Sequence, residues 1–577
     1  MRVRIAVSQL NQTVGDYEKN YNNMKNHIEQ AYENEADIIL FPELSLNGYP
    51  PEDLILKTSF LDDSQKYIDK IIQFSKNKNM KIVFGAIDWD VETYNSAFTV
   101  FNGQLLDKFR KMFLPNYSVF DEKRYFIRGR KPFMFEMNKI KIGVTVCEDL
   151  WVPNGPALAY SKSGANIILN LSASPYSKSK HLSRTQMVKS RASELSSWIV
   201  YSNLVGGQDE VVFDGGSLVA NPYGEIALQA PLFEEGLFTI DIDPYEATRA
   251  NLREGKRKHY SESIYEDVES LKIDHVFTKK TRITPVIKEY QDVYEQLYLS
   301  IKIGLKDYMH KNGFKKALVG LSGGLDSAIV AAIASEALGS ENVLGVLMPS
   351  KFTSEESIRD ALKLAENLNI ITKTISIKNM YDLFLDELKK HFEDKEEDIT
   401  EENLQARIRG NILMALSNKF GYMVLATSNK SESATGYSTL YGDMVGGFSP
   451  IKDLYKTEAY KVARKYNKLK GTDVIPENIL NKAPSAELKF NQTDQDTLPP
   501  YELLDEILFR YIEREMSIDE LIESGYDKEM IKKIIKMVDN NEYKRRQSAP
   551  GIKLTERNFG KDRRLPLTNG YKIWEKY

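Results

Sequence analysis

Two short stretches of this sequence hold the side chains best suited to chemistry. Cys147 is the only cysteine in 577 residues and directly follows an alternating apolar stretch, Ile140–Val146. A thiol in such a place can act as a nucleophile when a base or a cation lies beside it. The second stretch, SGGLDS at 322–327, reads as a glycine turn between a strand and a helix. Backbone N–H groups of such a turn can bind phosphate oxygens, so the sequence indicates two separate reactions in one chain.

Three polar residues in the first half share one position, just after a predicted strand: Glu43, Lys111 and Cys147. Because α/β folds gather reactive groups at strand ends, we expect these side chains to meet. A carboxylate could take the thiol proton, and an ammonium could stabilise the thiolate and a tetrahedral oxyanion. The spacing alone leaves a simpler interpretation open, in which the cysteine is a small buried hydrophobe and the two charges are merely solvated.

The residues around these three positions resemble the motifs of the nitrilase superfamily of carbon–nitrogen hydrolases. The matching segments are FPELS around Glu43, RKMFL around Lys111 and CEDLW from Cys147, in the family's order within residues 1–265. The resemblance implies a general base, an oxyanion-stabilising lysine and a nucleophile, respectively. It also implies that a second glutamate, Glu122, helps to hold the lysine. The residues implied to bind a glutamine substrate are Tyr117, Ser174 and Lys180.

The SGGLDS stretch combines glycines with hydroxyl and carboxylate side chains. Ser322 and Ser327 add donors for phosphate, whereas Asp326 is better suited to a Mg²⁺ ion that bridges phosphates. No lysine occupies the Walker A position, so this is not a kinase-type P-loop. A glycine turn capped by Asp or Ser is the simpler alternative. The stretch resembles the pyrophosphate loop of N-type ATP pyrophosphatases, which implies that ATP is cleaved to AMP and pyrophosphate. The residues implied to bind ATP are Gly320, Leu321, Ser322, Gly323, Gly324, Leu325, Asp326 and Ser327.

Segments further along the chain narrow the class. They are TEENLQARIRG at 400–410, ATSNKSE at 426–432, GYSTLYGDM at 436–444, KT at 456–457, PSAEL at 484–488 and YKRR at 543–546. Together they resemble NAD synthetases across residues 291–577. With the nitrilase-like half in front, the chain is similar to the family of glutamine-dependent NAD synthetases.

The second resemblance implies further site residues. ATP contacts are implied for Thr427 and Lys456, and Mg²⁺ ligands for Asp326 and Glu432. Contacts to nicotinate adenine dinucleotide are implied for Asn403, Glu432, Tyr437, Ser438, Thr439, Leu440 and Lys544. Single-domain members commonly have His-Lys where this chain has Tyr543-Lys544, which leaves the role of Tyr543 open.

The implied reaction is the ATP-dependent amidation of nicotinate adenine dinucleotide to NAD, with ammonia taken from glutamine. AMP, pyrophosphate and glutamate are the other products. One alternative is a glutamine-dependent amidotransferase that adenylates a different small carboxylate. Less favoured alternatives are a tRNA-modifying pyrophosphate-loop enzyme and a binding protein with inactive sites.

The predicted elements suggest two α/β domains. In residues 1–265 several strands follow one another directly, which favours a sandwich of sheets with helices outside. From Val293 onward predicted strands alternate with helices, which is typical of a doubly wound parallel sheet; the strands are Ala317–Gly320, Val343–Met348 and Lys373–Ser376. The charged stretch 266–290 is interpreted as the linker between a glutaminase domain and a synthetase domain at 291–577. The charged segment 389–402 is interpreted as a solvated loop and helix start, with a mobile lid as the alternative.

Length and composition limit the class of protein. A chain of 577 residues is too long for one core. A net charge of −4 argues against nucleic-acid or anionic-membrane partners, and no apolar run is long enough to span a bilayer. One cysteine and six scattered histidines argue against disulfides and zinc, and a free thiol favours the cytoplasm. The expected partners are glutamine, ATP, nicotinate adenine dinucleotide and further copies of the chain in a homo-oligomer.

Overall fold

The computed structural model describes residues 2–255, 268–278, 280–393 and 395–576. The chain divides into two units, Met1–Gln208 with Val212–Gln291, and Asp209–Val211 with Asp292–Tyr577. Of the expected linker 266–290, residues 266, 267 and 279 lie outside the described part. Ser270–Ile273 forms a strand paired with Met134–Met137 in the first unit. In the described residues no helix is long and apolar enough to cross a membrane.

The first unit is built mainly from short apolar strands. These are β1 (Val3–Gln9), β2 (Ile38–Leu40), β3 (Lys81–Trp89), β4 (Thr93–Phe101), β5 (Gln104–Arg110), β6 (Met134–Met137), β7 (Ile140–Val146), β8 (Ile167–Ser172), β9 (Trp198–Asn203), β10 (Val205–Gln208), β11 (Val211–Asp214), β12 (Leu218–Ala220), β13 (Ile226–Gln229), β14 (Gly236–Ile242) and β15 (Ser270–Ile273). Its helices are α1 (Tyr17–Glu33), α2 (Thr58–Phe74), α3 (Glu148–Trp151), α4 (Pro156–Lys162), α5 (Lys180–Leu195) and α6 (Tyr245–Glu254).

Two sheets of this unit pack face to face. Their strand orders are β14-β1-β2-β3-β4-β5 and β13-β12-β9-β8-β7-β6-β15 among the described residues. Ile5 and Leu40 from the first sheet share one buried cluster with Ile142 and Leu169 from the second. Helices α4 and α5 cover the outer face of the second sheet, where Val188 packs in a separate cluster. The α/β sandwich with helices outside is therefore confirmed.

The second unit carries its strands far apart in sequence. They are β16 (Ala317–Gly320), β17 (Val343–Leu347), β18 (Ile371–Thr374) and β19 (Met423–Leu425). The helices are α7 (Val293–Lys311), α8 (Leu325–Leu338), α9 (Glu355–Leu368), α10 (Lys378–Lys389), α11 (Ile399–Phe420), α12 (Lys430–Thr435), α13 (Lys456–Lys470), α14 (Glu477–Asn481), α15 (Tyr501–Leu508), α16 (Ile518–Glu523), α17 (Lys528–Asn540) and α18 (Glu542–Arg545). Short 3₁₀ or π turns occur in both units. Those of the first unit are Glu52–Leu56 and Glu122–Arg124, and those of the second are Ser340–Asn342, Asp494–Asp496, Phe509–Glu513 and Ile573–Lys576.

The sheet of this unit is parallel, with the order β18-β17-β16-β19 in the described part of the chain. The chain winds outward from β16 to β18 and then returns to the other side of β16. This confirms the doubly wound parallel sheet. The winding reverses between β16 and β19, and in such sheets ligands bind in the crevice beyond the carboxyl ends of the strands at the reversal.

Candidate active site

The first site lies at the carboxyl ends of three strands of the sandwich. Glu43 follows β2 by three residues, Lys111 directly follows β5, and Cys147 directly follows β7. Backbone bonds fix two of them: Lys111 N–H donates to the Asn95 carbonyl at 2.8 Å, and Cys147 N–H donates to the Leu171 carbonyl at 2.7 Å. All three side chains are buried. The strand ends therefore bring together the three residues predicted to react.

One ammonium joins two carboxylates in this site. Lys111 Nζ lies 2.6 Å from Glu43 Oε1 and 2.7 Å from Glu122 Oε1. The second oxygen of Glu43 accepts the Ala173 N–H at 2.9 Å. Tyr49 donates its hydroxyl to Glu122 Oε1 at 2.8 Å. Glu43 and Glu122 therefore share the Lys111 ammonium.

The charges of the site control its protonation. Burial raises the pKa of the Cys147 thiol well above its usual range, the Glu43 carboxylate raises it further, and Lys111 opposes both. Burial disfavours the Lys111 ammonium, but the carboxylates of Glu122 and Glu43 outweigh it and raise the pKa of Lys111. Burial also raises the pKa of Glu122 to about 7, against the pull of Lys111. Burial and the Glu43 carboxylate therefore favour the neutral thiol of Cys147 over the thiolate.

The backbone at Cys147 is strained. Cys147 has φ +45° and ψ −100° at the sharp turn from β7 into α3. A residue with a side chain rarely adopts a positive φ, and such a conformation costs about 1–3 kcal/mol. The turn leaves the thiol at the end of its strand, beside the Glu43 and Lys111 charges.

A buried carboxyl that sequence reasoning missed ties the strand ends together. Asp149 accepts N–H groups from Val146 at 3.1 Å, Met112 at 3.0 Å and Phe113 at 2.9 Å. It therefore links the residue before the nucleophile to the residues after Lys111. Burial raises the pKa of Asp149 to about 7, while these hydrogen bonds oppose the shift. Its place in the CEDLW motif is the signal that could have identified it.

Two of the residues predicted to bind glutamine contact the CEDLW segment. Tyr117, predicted to bind glutamine, is exposed and donates its hydroxyl to Glu148 Oε2 at 2.9 Å. Lys180, also predicted, has Nζ 4.5 Å from the centre of the Trp151 ring. Burial lowers the pKa of Lys180. Glu148 and Trp151 belong to the same CEDLW motif as the nucleophile, and sequence reasoning gave neither a role.

Two buried polar pairs hold the segments that carry Ser174 and Lys180. Ser174 is buried; its N–H donates to Asn203 Oδ1 at 2.8 Å, and Asn203 Nδ2 donates back to its carbonyl at 3.2 Å. Lys180 begins α5. One turn later Arg184 forms a bidentate pair with Asp214, at 2.9 and 2.5 Å. Hydrogen bonds within the protein therefore fix both segments.

The second site lies where the parallel sheet reverses. Gly320 ends β16, and Leu325 begins α8. Gly323 has φ +78°, and a Cβ there would lie 2.3 Å from the Ser357 carbonyl oxygen, so only glycine fits. Ser322 Oγ lies 3.1 Å from Ser327 Oγ, and Ser322 Oγ also accepts the Gly324 N–H at 3.2 Å. The SGGLDS segment is thus a tight, self-bonded turn at a helix N-terminus.

A lysine joins two carboxylates here as well. Lys456 Nζ contacts Asp326 Oδ2 and lies 3.3 Å from Glu432 Oε1. Asn429 Nδ2 donates to Asp326 Oδ1 at 3.3 Å. Burial raises the pKa of Glu432 to about 8; Lys456 opposes the shift and Asp326 adds to it. Asp326 and Glu432, predicted from separate motifs, therefore share the positive charge of Lys456.

The same carboxylate pair determines what metal the site could hold. No group of three or more His, Cys, Asp or Glu side chains in the described residues is arranged as a metal site. Asp326 and Glu432 are two oxygen donors that already share a cation, the Lys456 ammonium. Mg²⁺ is usually held by one or two carboxylates together with substrate phosphates. The residues present therefore fit Mg²⁺ bound together with a nucleotide.

The predicted dinucleotide contacts form a third cluster. Thr439 Oγ1 donates to Asn403 Oδ1 at 2.6 Å. Lys544 Nζ donates to the carbonyls of Gly436 at 2.8 Å and Ser438 at 2.9 Å. Burial lowers the pKa of Lys544, and Asp443 opposes that shift. Five of the predicted contacts are thus connected through one loop, 436–439: Tyr437, Ser438 and Thr439 lie in it, and Asn403 and Lys544 bond to it.

The remaining predicted residues lie close to these elements. Thr427 is half-buried two residues past β19. The Leu440 carbonyl accepts Arg407 Nε–H at 3.3 Å. Burial raises the pKa of Tyr437, and Asp494 adds to the shift. Tyr543 is exposed, so its role stays open.

Comparisons with known proteins agree with both halves. A carbon-nitrogen hydrolase family model matches residues 4–251, and an NAD synthase family model matches residues 297–548. The chain is 48% identical over 572 residues to the glutamine-dependent NAD(+) synthetase of Thermotoga maritima, covering 99% of each chain. It is 46% identical over 574 residues to that of Aquifex aeolicus, covering 99% of this chain and 100% of the relative.

A solved structure of similar length also matches. It is glutamine-dependent NAD+ synthetase from Acinetobacter baumannii in complex with adenosine diphosphate. The TM-score is 0.74 at 39% sequence identity, and the match covers 99% of this chain and 100% of that chain.

The sandwich with its lysine-bridged carboxylates and the doubly wound sheet with its glycine loop define an ATP-dependent carbon–nitrogen ligase that carries a nitrilase-type domain. With relatives of this identity along its whole length, the chain belongs to the family of glutamine-dependent NAD(+) synthetases. The family and the enzyme class predicted from the sequence are both confirmed.

Proposed function

We propose that this chain converts nicotinate adenine dinucleotide to NAD, using ATP and ammonia that it releases from glutamine. The observation that carries the proposal is the presence of two complete lysine-centred sites in one chain. One joins Glu43 and Glu122 through Lys111 beside a thiol, and the other joins Asp326 and Glu432 through Lys456 beside a phosphate loop. The first set suits amide hydrolysis, and the second suits adenylyl transfer.

In the first site Glu43 takes the thiol proton while Cys147 sulfur attacks the side-chain amide carbon of glutamine. Lys111 stabilises the negative charge that develops on the amide oxygen. The C–N bond then breaks, the proton goes to the nitrogen, and ammonia leaves a glutamyl thioester. Water, activated by the same carboxylate, hydrolyses the thioester to glutamate. Glu122 Oε2 is buried with no donor among the described residues, so it can accept an N–H of the amide.

In the second site the nicotinate carboxylate attacks the α-phosphorus of ATP, and pyrophosphate leaves. Ammonia then attacks the acyl-adenylate carbon, and AMP leaves as the amide forms. Asp326 and Glu432 would hold Mg²⁺, which supplies neutralisation of phosphate charge when bound. Lys456 places a further positive charge beside these carboxylates, suited to the phosphates or the leaving group.

The binding roles follow the sequence predictions. Glutamine is held by Tyr117, Ser174 and Lys180, with the Lys180 ammonium suited to the α-carboxylate. ATP is held by the loop 320–327, Thr427 and Lys456. The dinucleotide is held by Asn403, Glu432, Tyr437, Ser438, Thr439, Leu440 and Lys544.

The division of the chain follows from the same proposal. Residues 1–265 carry the glutaminase and residues 291–577 the synthetase, with 266–290 between them. A catalytic thiol is best kept in a reducing compartment, which supports a cytoplasmic location. The homo-oligomeric state stays a prediction.

The proposal is tested with purified protein, glutamine, ATP–Mg²⁺ and nicotinate adenine dinucleotide. Mass spectrometry should find NAD and glutamate, and phosphorus NMR should find AMP and pyrophosphate. ADP and phosphate as main products would contradict the adenylyl-transfer assignment. AMP formation with a different carboxylate, and none with this dinucleotide, would favour another amidotransferase. AMP formation that requires tRNA would favour the nucleic-acid alternative.

A further inference from the structure

Asn95, in β4, contacts two of the three reacting residues of the first site. Its side-chain Nδ2 donates to Glu43 Oε1 at 2.7 Å, and its backbone carbonyl oxygen accepts the Lys111 backbone N–H at 2.8 Å. The side chain is 1% exposed. One residue therefore fixes the carboxylate of the expected base and the backbone of the expected oxyanion lysine.

Only the hydrogen bond to Glu43 favours the observed orientation of the Asn95 side-chain amide. Its Oδ1 is buried and has no hydrogen-bond donor among the described residues. A buried acceptor without a donor is destabilising. Reversing the amide would turn Oδ1 toward the Glu43 carboxylate, which accepts hydrogen bonds and cannot donate one when ionised. The N–H group must therefore face Glu43, and the unsatisfied oxygen follows from that requirement.

The hydrogen bonds divide the two oxygens of Glu43 between different tasks. Each carboxylate oxygen has two lone pairs. Oε1 already accepts from Lys111 Nζ at 2.6 Å and from Asn95 Nδ2 at 2.7 Å, so both lone pairs of Oε1 are used. Oε2 accepts only the Ala173 N–H, at 2.9 Å, among the donors described. The free lone pair of the base is therefore on Oε2.

We propose that Asn95 is a positioning residue of the glutaminase, which saturates Glu43 Oε1 and so directs the Cys147 proton to Glu43 Oε2. The S–H bond breaks and an O–H bond forms at Oε2, while the sulfur electron pair attacks the amide carbon. The same proton later moves from Oε2 to the leaving nitrogen, which returns the carboxylate to its resting state. This inference rests on the proposed function, because it assumes that Glu43 serves Cys147 in glutamine hydrolysis.

The test uses full-length Asn95→Ala and Asn95→Asp, with Asn166→Ala as the matched control. Asn166 is also a buried asparagine; its Nδ2 donates to the Pro244 carbonyl at 3.0 Å, and it precedes β8 at the end opposite the reacting strand ends. Glutamine hydrolysis is measured from acidic to alkaline pH, calorimetry reports whether the first unit of each variant is folded, and ammonium-driven NAD synthesis reports the second site. Asn95→Asp keeps the side-chain shape should Asn95→Ala fail to fold.

For Asn95→Ala we expect kcat for glutamine hydrolysis to fall about 10- to 100-fold, the usual effect of a lost hydrogen bond to a charged group. KM for glutamine should stay close to wild type because Asn95 is not a predicted substrate contact. The acidic limb of the kcat/KM profile, to which the carboxylates of Glu43 and Glu122 around Lys111 both contribute, should move to higher pH, since a donor that favours the ionised form of this pair is gone. Asn95→Asp should move it further, because two adjacent carboxyls share one proton. Asn166→Ala should leave the limb unmoved.

An unmoved acidic limb in a folded Asn95 variant would overturn the inference, whatever its rate. So would a loss of ammonium-driven synthesis in proportion to the loss of glutaminase, since that would indicate only a structural role. If the wild type itself hydrolyses no glutamine, it is the proposed function that fails.

Discussion

Replacing Lys111 by methionine removes the charge that holds the first site together. Methionine has similar length and no charge, so the main change is the loss of the ammonium between Glu43 and Glu122. Both carboxylates are buried, and each lies within hydrogen-bond distance of the same nitrogen. Without the ammonium the two buried carboxylates repel, which raises the pKa of Glu122, already about 7, further. Removing one partner of a buried ion pair costs about 3–5 kcal/mol of folding stability.

We therefore expect Lys111→Met to lower the melting temperature of the first unfolding transition by about 10 °C, given about 2–4 °C per kcal/mol for a unit of this size. Loss of oxyanion stabilisation should lower kcat for glutamine hydrolysis by at least about 10²-fold. Calorimetry and a glutamate assay measure the two effects. Lys108→Met is the control: Lys108 pairs with Asp88, which keeps Arg110 as a partner. A Lys111→Met protein with wild-type melting and glutaminase within tenfold of wild type would refute the reasoning.

Two further predictions concern other charged groups. Asp326→Asn should reduce NAD synthesis from glutamine and from ammonium by more than about 100-fold, because it removes one of two carboxylates suited to Mg²⁺. Glutamine hydrolysis should persist, and near-normal synthesis from both sources in a product assay would exclude Asp326 as a ligand. His275 lies between Lys81 Nζ at 2.6 Å and Asp37 Oδ1 at 2.9 Å, with Lys280 also paired to Asp37. Burial lowers the pKa of His275; Lys81 adds to the shift and Asp37 opposes it. Because the folded pKa lies below the unfolded pKa of about 6.5, the contribution of His275 to stability is present above the unfolded pKa. That contribution is lost as pH falls through the folded pKa. Urea unfolding should thus be easier below about pH 6 than at pH 8, and His275→Gln should weaken this dependence; an unchanged dependence in the variant would contradict the assignment.

Long apolar strands were predictable because their alternation extends over several residues. The predicted strand at 140–146 coincides with β7, and the strand at 317–320 coincides with β16. The predicted strand Lys373–Ser376 lies two residues late relative to β18, Ile371–Thr374. That strand is an edge strand whose residues are mostly exposed, so no apolar face fixes its ends. Strand β5 has polar or charged residues at about half of its positions, so its apolar alternation is too weak to predict a strand.

The site was predictable where short motifs carry it. The motifs placed Glu43, Lys111 and Cys147 in one site, and the strand ends bring them together. Partners such as Asn95, Asp149 and Tyr49 were missed because asparagine, aspartate and tyrosine are common and their contacts join distant segments. The two lysine-bridged carboxylate pairs likewise depend on tertiary geometry, which spacing alone does not encode. The roles assigned to individual residues stay predictions until they are measured.

Transfer of labelled nitrogen tests the central claim most directly. The wild type is given glutamine labelled with ¹⁵N at the side-chain amide, ATP–Mg²⁺ and nicotinate adenine dinucleotide, and NAD is analysed by mass spectrometry. We predict ¹⁵N in the NAD amide for the wild type. Cys147→Ala should make no NAD from labelled glutamine but should make it from ammonium at mildly alkaline pH, where more ammonia is unprotonated. Labelled NAD from Cys147→Ala with glutamine, or no NAD from the folded variant with ammonium, would contradict the account of two separate chemistries in one chain.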